Sequence, residues 1–181
     1  KIDAEKIVVW GQGTGGYLSL AAAYLNQYSE ILTTSDPNKF RFPVMVNGQT
    51  QLVPMVTENY NGTIDADGPN TFSDAGYIPT AALGFKAGDT LCTSNHVSYD
   101  SKFALTVNMG GALGDSTWVT NGETPLISFH VTTDAFAPCK TAVLKVPTSR
   151  GPENVVEVSG SCDVANIVDR LGINDVFKTI E

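Results

Sequence analysis

The run Ile7-Val8-Val9-Trp10-Gly11-Gln12-Gly13-Thr14-Gly15-Gly16 constrains this chain more than any other stretch. Its four apolar residues, three of them β-branched, predict a buried strand over Ile7–Trp10, because branched side chains pack well on a pleated surface. Four glycines in the next six positions let the backbone turn sharply and pass close to its neighbours. From Gly15 to about Tyr28, Leu18, Ala21, Ala22 and Leu25 recur at helical spacing. The expectation is a strand that feeds a helix through a tight turn, the unit from which α/β folds are built.

Three readings of that turn stand open on this window alone. Gly11 and Gly15 have the spacing of Gly-x-Ser-x-Gly, the elbow that exposes a nucleophilic serine. Position 13 is glycine, however, and has no side chain to attack a carbonyl. Gly11, Gly13 and Gly16 also satisfy Gly-x-Gly-x-x-Gly, the dinucleotide-binding turn, with Glu30 or Asp36 as the ribose ligand. In the third reading the glycines only relieve crowding between strand and helix.

Two later segments bear on the choice. Phe103-Ala104-Leu105-Thr106-Val107-Asn108-Met109 is a strand pattern that runs into Gly110-Gly111, and Thr124–Pro138 is a second strand ending in a loop with Asp134. Together with the elbow they resemble the α/β-hydrolases of the carboxylesterase type, in which an aromatic residue followed by Gly-Gln-Ser-Ala-Gly-Gly is usual. The order of elbow, strand and acid strand is also that family's order. The resemblance covers residues 1–35 and 100–181. It implies an α/β fold with a hydrolase-like, mostly parallel sheet, flanking helices and a β-rich insertion after the elbow helix, over residues 36–99. Because strands normally precede the elbow in that family, it also implies that this chain is the second half of a domain whose N-terminal half is a partner.

Carried over residue by residue, the resemblance places Asp134 at the acid position and Gly13 at the nucleophile position, with Gly11, Gln12, Thr14, Gly15 and Gly16 forming the elbow. The departures are chemical. Thr14 is one residue off the apex, and no histidine follows Asp134 where the family has its base. The two histidines are His96, in the insertion, and His130, which reads as a packed strand residue. A general base must reach the nucleophile's proton, and this pattern supplies neither. Serine-type acyl transfer is not supported by the sequence.

Other chemistries are weaker still. Cys92, Cys139 and Cys162 lack the spacing of a zinc site. A disulfide between Cys139 and Cys162 is favoured over a reactive Cys139 thiolate beside Lys140, which leaves Cys92 free or paired elsewhere. Asp65-Ala66-Asp67-Gly68, near Asn61 and Asp74, resembles a calcium loop but lacks the closing Glu, so it reads as a solvated turn. No metal or cofactor is expected. Asn61-Gly62-Thr63 is a glycosylation sequon.

With 181 residues and 42% hydrophobic content, the chain can bury a core. Its net charge of −8 and the absence of a basic run argue against binding nucleic acid. No apolar run approaches the roughly 20 residues of a membrane helix. Phe40–Val46 and Gln51–Val56 read as a hairpin around Asn47-Gly48, in which Pro43 and Pro54 mark edge strands. Ala142–Val146 reads as the start of a helix, Val155–Val158 as a strand, Asp163–Leu171 as an amphipathic helix and Asp175–Glu181 as a last short one. The expected role is a non-catalytic, secreted or cell-surface binding or assembly subunit, with a protein partner or self-assembly.

Overall fold

The computed structural model describes residues 2–58, 70–71, 86–91 and 101–179. Cys92, His96, the sequon at Asn61 and the acidic turn at Asp65–Gly68 with Asp74 lie outside them. The protein is of mixed α/β type and divides into two compact units, Lys1–Asn26 with Ser101–Glu181, and Gln27–Asp100.

In the first unit, β1 (Val8–Gln12) runs into α1 (Thr14–Tyr24). In the Gln27–Asp100 unit, α2 (Tyr28–Leu32) is followed by the hairpin strands β2 (Arg41–Val46) and β3 (Gln49–Pro54), then by the short pair β4 (Asn70–Thr71) and β5 (Thr90–Leu91). Back in the first unit come β6 (Leu105–Met109), β7 (Ala112–Leu113), β8 (Leu126–Phe129), β9 (Ala142–Thr148), β10 (Gly151–Gly160) and α3 (Ser161–Arg170). Short 3-10 turns stand at Ala4–Lys6, Ser116–Trp118 and Ile173–Thr179.

A three-stranded parallel sheet, in the order β1-β6-β8, organises the first unit. Its register pairs Trp10 with Val107, Gly11 with Asn108, and Asn108 in turn with Ser128. Alternation along the strands divides the side chains between two faces. On one face Gly11, Thr106, Asn108 and Leu126 are buried, and α1 and α3 pack on the unit's core, with Leu20, Tyr24, Val164 and Val168 fully enclosed. On the other face Trp10 is 68% exposed and Phe129 57%. The Ile7–Trp10 strand is therefore not the fully buried one expected: β1 ends the sheet among the described residues, and helices cover one face of it.

The helix α1 also presents a different face from the expected one. Gly16, Ser19, Leu20, Ala23 and Tyr24 are buried, whereas Leu18 is exposed. The segment is apolar nearly all round, so hydrophobic spacing alone does not choose a side. Close approach chooses it. A Cβ on Gly16 would overlap Asn108 Oδ1 and crowd the Gly111 backbone, and Ser19 Oγ donates to the Gly16 and Val107 carbonyls at 3.0 and 3.3 Å. The helix stops at Tyr24 rather than Tyr28, since Leu25 is extended. Gln27 and Glu30 then form the capping box of α2.

Ala142–Val146 begins a strand, not a helix. β9 pairs with the long β10 in an antiparallel ribbon, with an irregularity between Asn154 and Glu157, and β10 continues onto β7 through Ser159 and Gly160. Val143 and Val146, both exposed, are stabilised by this ladder rather than by burial. In the other unit the hairpin turns at Asn47-Gly48, both with positive φ (51° and 77°), as a two-residue loop between twisted strands requires.

Candidate binding cleft at the carboxyl ends of the parallel strands

Gly13 is the N-cap of α1 and holds φ 56° and ψ −119°, a conformation that costs a side-chain-bearing residue about 1–3 kcal/mol. Its N–H donates to the Met109 carbonyl at 2.8 Å, and its carbonyl accepts from Gly16 N at 2.9 Å. No atom lies within 4 Å of where its Cβ would stand. The flanking glycine is needed for a different reason: a Cβ on Gly11 would overlap the Gly15 carbonyl. The turn is thus a sharp elbow with a bare, unobstructed apex.

Beneath it lies a polar hub that the sequence did not reveal. Asn108 is fully buried; its Nδ2 donates to Ser128 Oγ and Ser161 Oγ, both at 3.0 Å, and its Oδ1 accepts from Gly111 N at 2.8 Å. Ser161 Oγ donates to the Gly111 carbonyl. These bonds tie β6, β8 and the start of α3 together at the carboxyl ends of the strands, where α/β sheets place their ligand crevices.

A cleft of about 590 Å³ opens there, lined by Gln12 and Gly13, Met109 and Gly110, Ser128 to Val131, and Asp134. The sequence-derived residues Gly13 and Asp134 are therefore brought to one cavity. Gln12 joins them; Thr14 is the exposed first residue of α1, and Gly11 and Gly16 serve the packing beneath. Glu30 and Asp36 belong to the other unit, where each is engaged locally: Glu30 Oε2 accepts from Gln27 N at 2.9 Å and Asp36 Oδ1 from Asn38 N at 2.9 Å.

The acid loop is fixed by its own backbone. Asp134 Oδ1 accepts from Phe136 N at 2.7 Å and Ala137 N at 3.1 Å. These two donors, the Phe136 one foremost, hold its carboxyl below the usual carboxylate range, with the nearby His130 adding to the effect. Tyr17, from the first turns of α1, donates to the Phe136 carbonyl at 3.1 Å. Its phenol is pushed up by burial and then by the charge of Asp134. On the far side, Cys139 and Cys162 form a disulfide with Cα atoms 5.0 Å apart, so Cys139 is no thiolate nucleophile. Lys140 instead pairs with Asp163 at 3.1 Å, and Asp163 Oδ2 also accepts from Thr141 N at 2.7 Å. That backbone donor is the main cause that lowers the Asp163 pKa.

His130 follows β8 and lines the cleft. Both of its ring nitrogens are enclosed and lack a hydrogen-bond partner among the described residues. Ser128 supplies the one side-chain hydroxyl among the described lining residues, and its oxygen is held by Asn108. Among the described residues no hydroxyl is hydrogen-bonded to this imidazole, the contact by which a Ser–His pair activates its nucleophile.

No family model, curated protein or solved structure matches this chain. The site is therefore read from its chemistry. Sequence reasoning found the apex and the carboxylate, but it missed Asn108, Ser161 and Tyr17. A polar residue inside an apolar strand, as at Asn108 and Ser128, was the one available signal: such a group is buried only when its hydrogen bonds are met.

Proposed function

We propose that this chain is a hydrolase-fold domain without serine-hydrolase activity, acting outside the cell as a binding or assembly subunit. One observation carries the reading: the elbow apex, at Gly13, has the strained turn of a nucleophile position and no side chain. The parallel order β1-β6-β8, the helix leaving the elbow and a carboxylate after the third strand support the hydrolase likeness. The disulfide supports an oxidising compartment, and no helix among the described residues is long and apolar enough to cross a membrane.

A protein partner is supported by the second sheet face. Parallel sheets are ordinarily covered on both sides, yet Trp10, Val107, Met109 and Phe129 line an open groove of about 380 Å³. The partner role and the absence of catalysis are separable. Incubation with a fluorophosphonate probe and with short acyl esters tests the second: neither covalent labelling nor turnover is expected. Labelling of this chain, or ester turnover that Asp134→Asn abolishes, overturns the reading in favour of an esterase whose reactive groups come from elsewhere.

A further inference from the structure

Alternation and register assign one set of side chains to the open face of the β1-β6-β8 sheet, and the set is uniform in character. Gln12, at the end of β1, is its one polar member; all the others are apolar and none is charged. The net charge of −8 therefore falls outside this face. Trp10 on β1 and Phe129 on β8 stand on either side of β6, whose Val107 and Met109 form the floor of the groove between them. The indole is held in place, since Trp10 Nε1 donates to Met109 Sδ at 2.9 Å, while most of the residue stays in water. A ring already fixed loses little freedom when something docks on it. Trp10 and Phe129 present roughly 250–300 Å² between them. With Val8, half exposed, and the half-buried remainder, the apolar patch comes to roughly 500 Å², the upper end of what a monomer normally leaves in water. Two such faces closed on one another remove roughly 1,000 Å², which reaches the threshold of a specific interface before any polar rim is counted.

Resting on the assembly reading above, we infer that this face is a homodimer interface, covered by the same face of a second copy of the chain. A two-fold axis along β6 sets β1 of each copy over β8 of the other and brings Trp10 towards Phe129, a contact that an isologous interface makes twice. Two sheets stacked in this way lie about 10 Å apart with their side chains interdigitated, so the groove of each copy takes an aromatic ring of the other. Both faces of the parallel sheet are then covered, as such sheets ordinarily are. The neutrality of the face fits this occupant. Two acidic chains repel where their carboxylates are brought together, and on this face there are none. A partner recognised by charge finds no counter-charge on the patch, and the net charge of −8 opposes an anionic lipid surface.

Sedimentation equilibrium of the full chain over a dilution series, read alongside iodide quenching of tryptophan fluorescence, tests this. The dimer should form with a dissociation constant in the micromolar range or tighter. Of the two tryptophans, Trp118 is buried and Trp10 exposed, so the quenchable fraction reports Trp10 and should fall in step with the rise in mass. Trp10→Glu places a carboxylate within the contact and should weaken association at least about tenfold. Val155→Glu, at an exposed position of β10, should leave association unchanged. A chain that stays monomeric at millimolar concentration, or a dimer that a folded Trp10→Glu protein retains at full strength, overturns the inference. If circular dichroism shows that the variant does not fold, the unmodified chain decides: a dimer in which Trp10 stays open to iodide is built on another face, and that also overturns it. The wider assembly reading fails separately. A monomer with Trp10 open to iodide removes the second copy alone, whereas a monomer with Trp10 shielded removes the open face as well.

Discussion

Asn108 and Ser161, 53 residues apart in the chain, are joined by a buried hydrogen bond of 3.0 Å. The bond links the central strand of the parallel sheet to the first residue of α3, directly under the cleft. Replacing Asn108 with alanine would leave Gly111 N and two hydroxyls without their partner. The expected loss is about 3 kcal/mol of stability, since each orphaned buried group costs about 1–3 kcal/mol. Urea unfolding measures it, and a loss below about 1 kcal/mol would show that the hub does not close this end of the sheet.

Two glycines of the elbow should respond to alanine for different reasons. At Gly16 the added methyl meets the Asn108 side chain and the Gly111 backbone, so helix and sheet must separate and an overpacking cost of about 1–3 kcal/mol or more follows. At Gly13 there is empty space but a φ of 56°, so only the backbone strain of about 1–3 kcal/mol applies. Hydrogen exchange distinguishes them: Gly16→Ala should loosen the α1 amides broadly, whereas Gly13→Ala should leave those beyond the first turn protected.

The Cys139–Cys162 bridge spans 23 residues and anchors the acid loop to the start of α3. Loop-closure entropy for such a span predicts that the Cys139→Ser, Cys162→Ser double variant loses about 3 kcal/mol. The backbone bond from Cys162 N to the Cys139 carbonyl, at 2.9 Å, remains. The native contacts are therefore expected to persist in the variant, with the loss read as a lower urea midpoint.

Alkaline stability should depend on Tyr24. Its side chain is fully buried and donates to the Thr124 carbonyl at 3.1 Å. Burial first, and the charge of Glu123 second, push its phenol well above the ordinary value of 10.0. The unfolded chain releases this proton near that ordinary value while the folded chain keeps it. The stabilisation is complete below pH 10.0 and is lost progressively as the pH climbs from there towards the folded value. Tyr24→Phe should lose about 0.5–1.5 kcal/mol at neutral pH with the hydrogen bond, and its deficit should shrink above about pH 10. Urea midpoints against pH test this, and a deficit that stays constant through pH 11 would contradict it.

Local chemistry in the sequence was enough to place several elements. Branched residues before glycine marked β1, Asn47-Gly48 marked the hairpin turn, and Val164, Ile167, Val168 and Leu171 at helical spacing anticipated α3. Elements that depend on long-range pairing were less legible. Ala142–Val146 reads as the start of a helix from its short apolar run, and only the ladder with β10 makes it a strand. The buried side of α1 was equally hidden, because an all-apolar helix carries no preferred face until Gly16 meets Gly111.

The sequence by itself determined that the apex of the elbow has no nucleophile and that a carboxylate follows the last parallel strand, because those facts are residue identities. Tertiary structure decided the rest: that Gly13, His130 and Asp134 share one cleft, that Asn108 holds its floor, and that one sheet face stays open. These are properties of residues far apart in the chain. Only strand register and close backbone approach, which no local pattern encodes, bring them together.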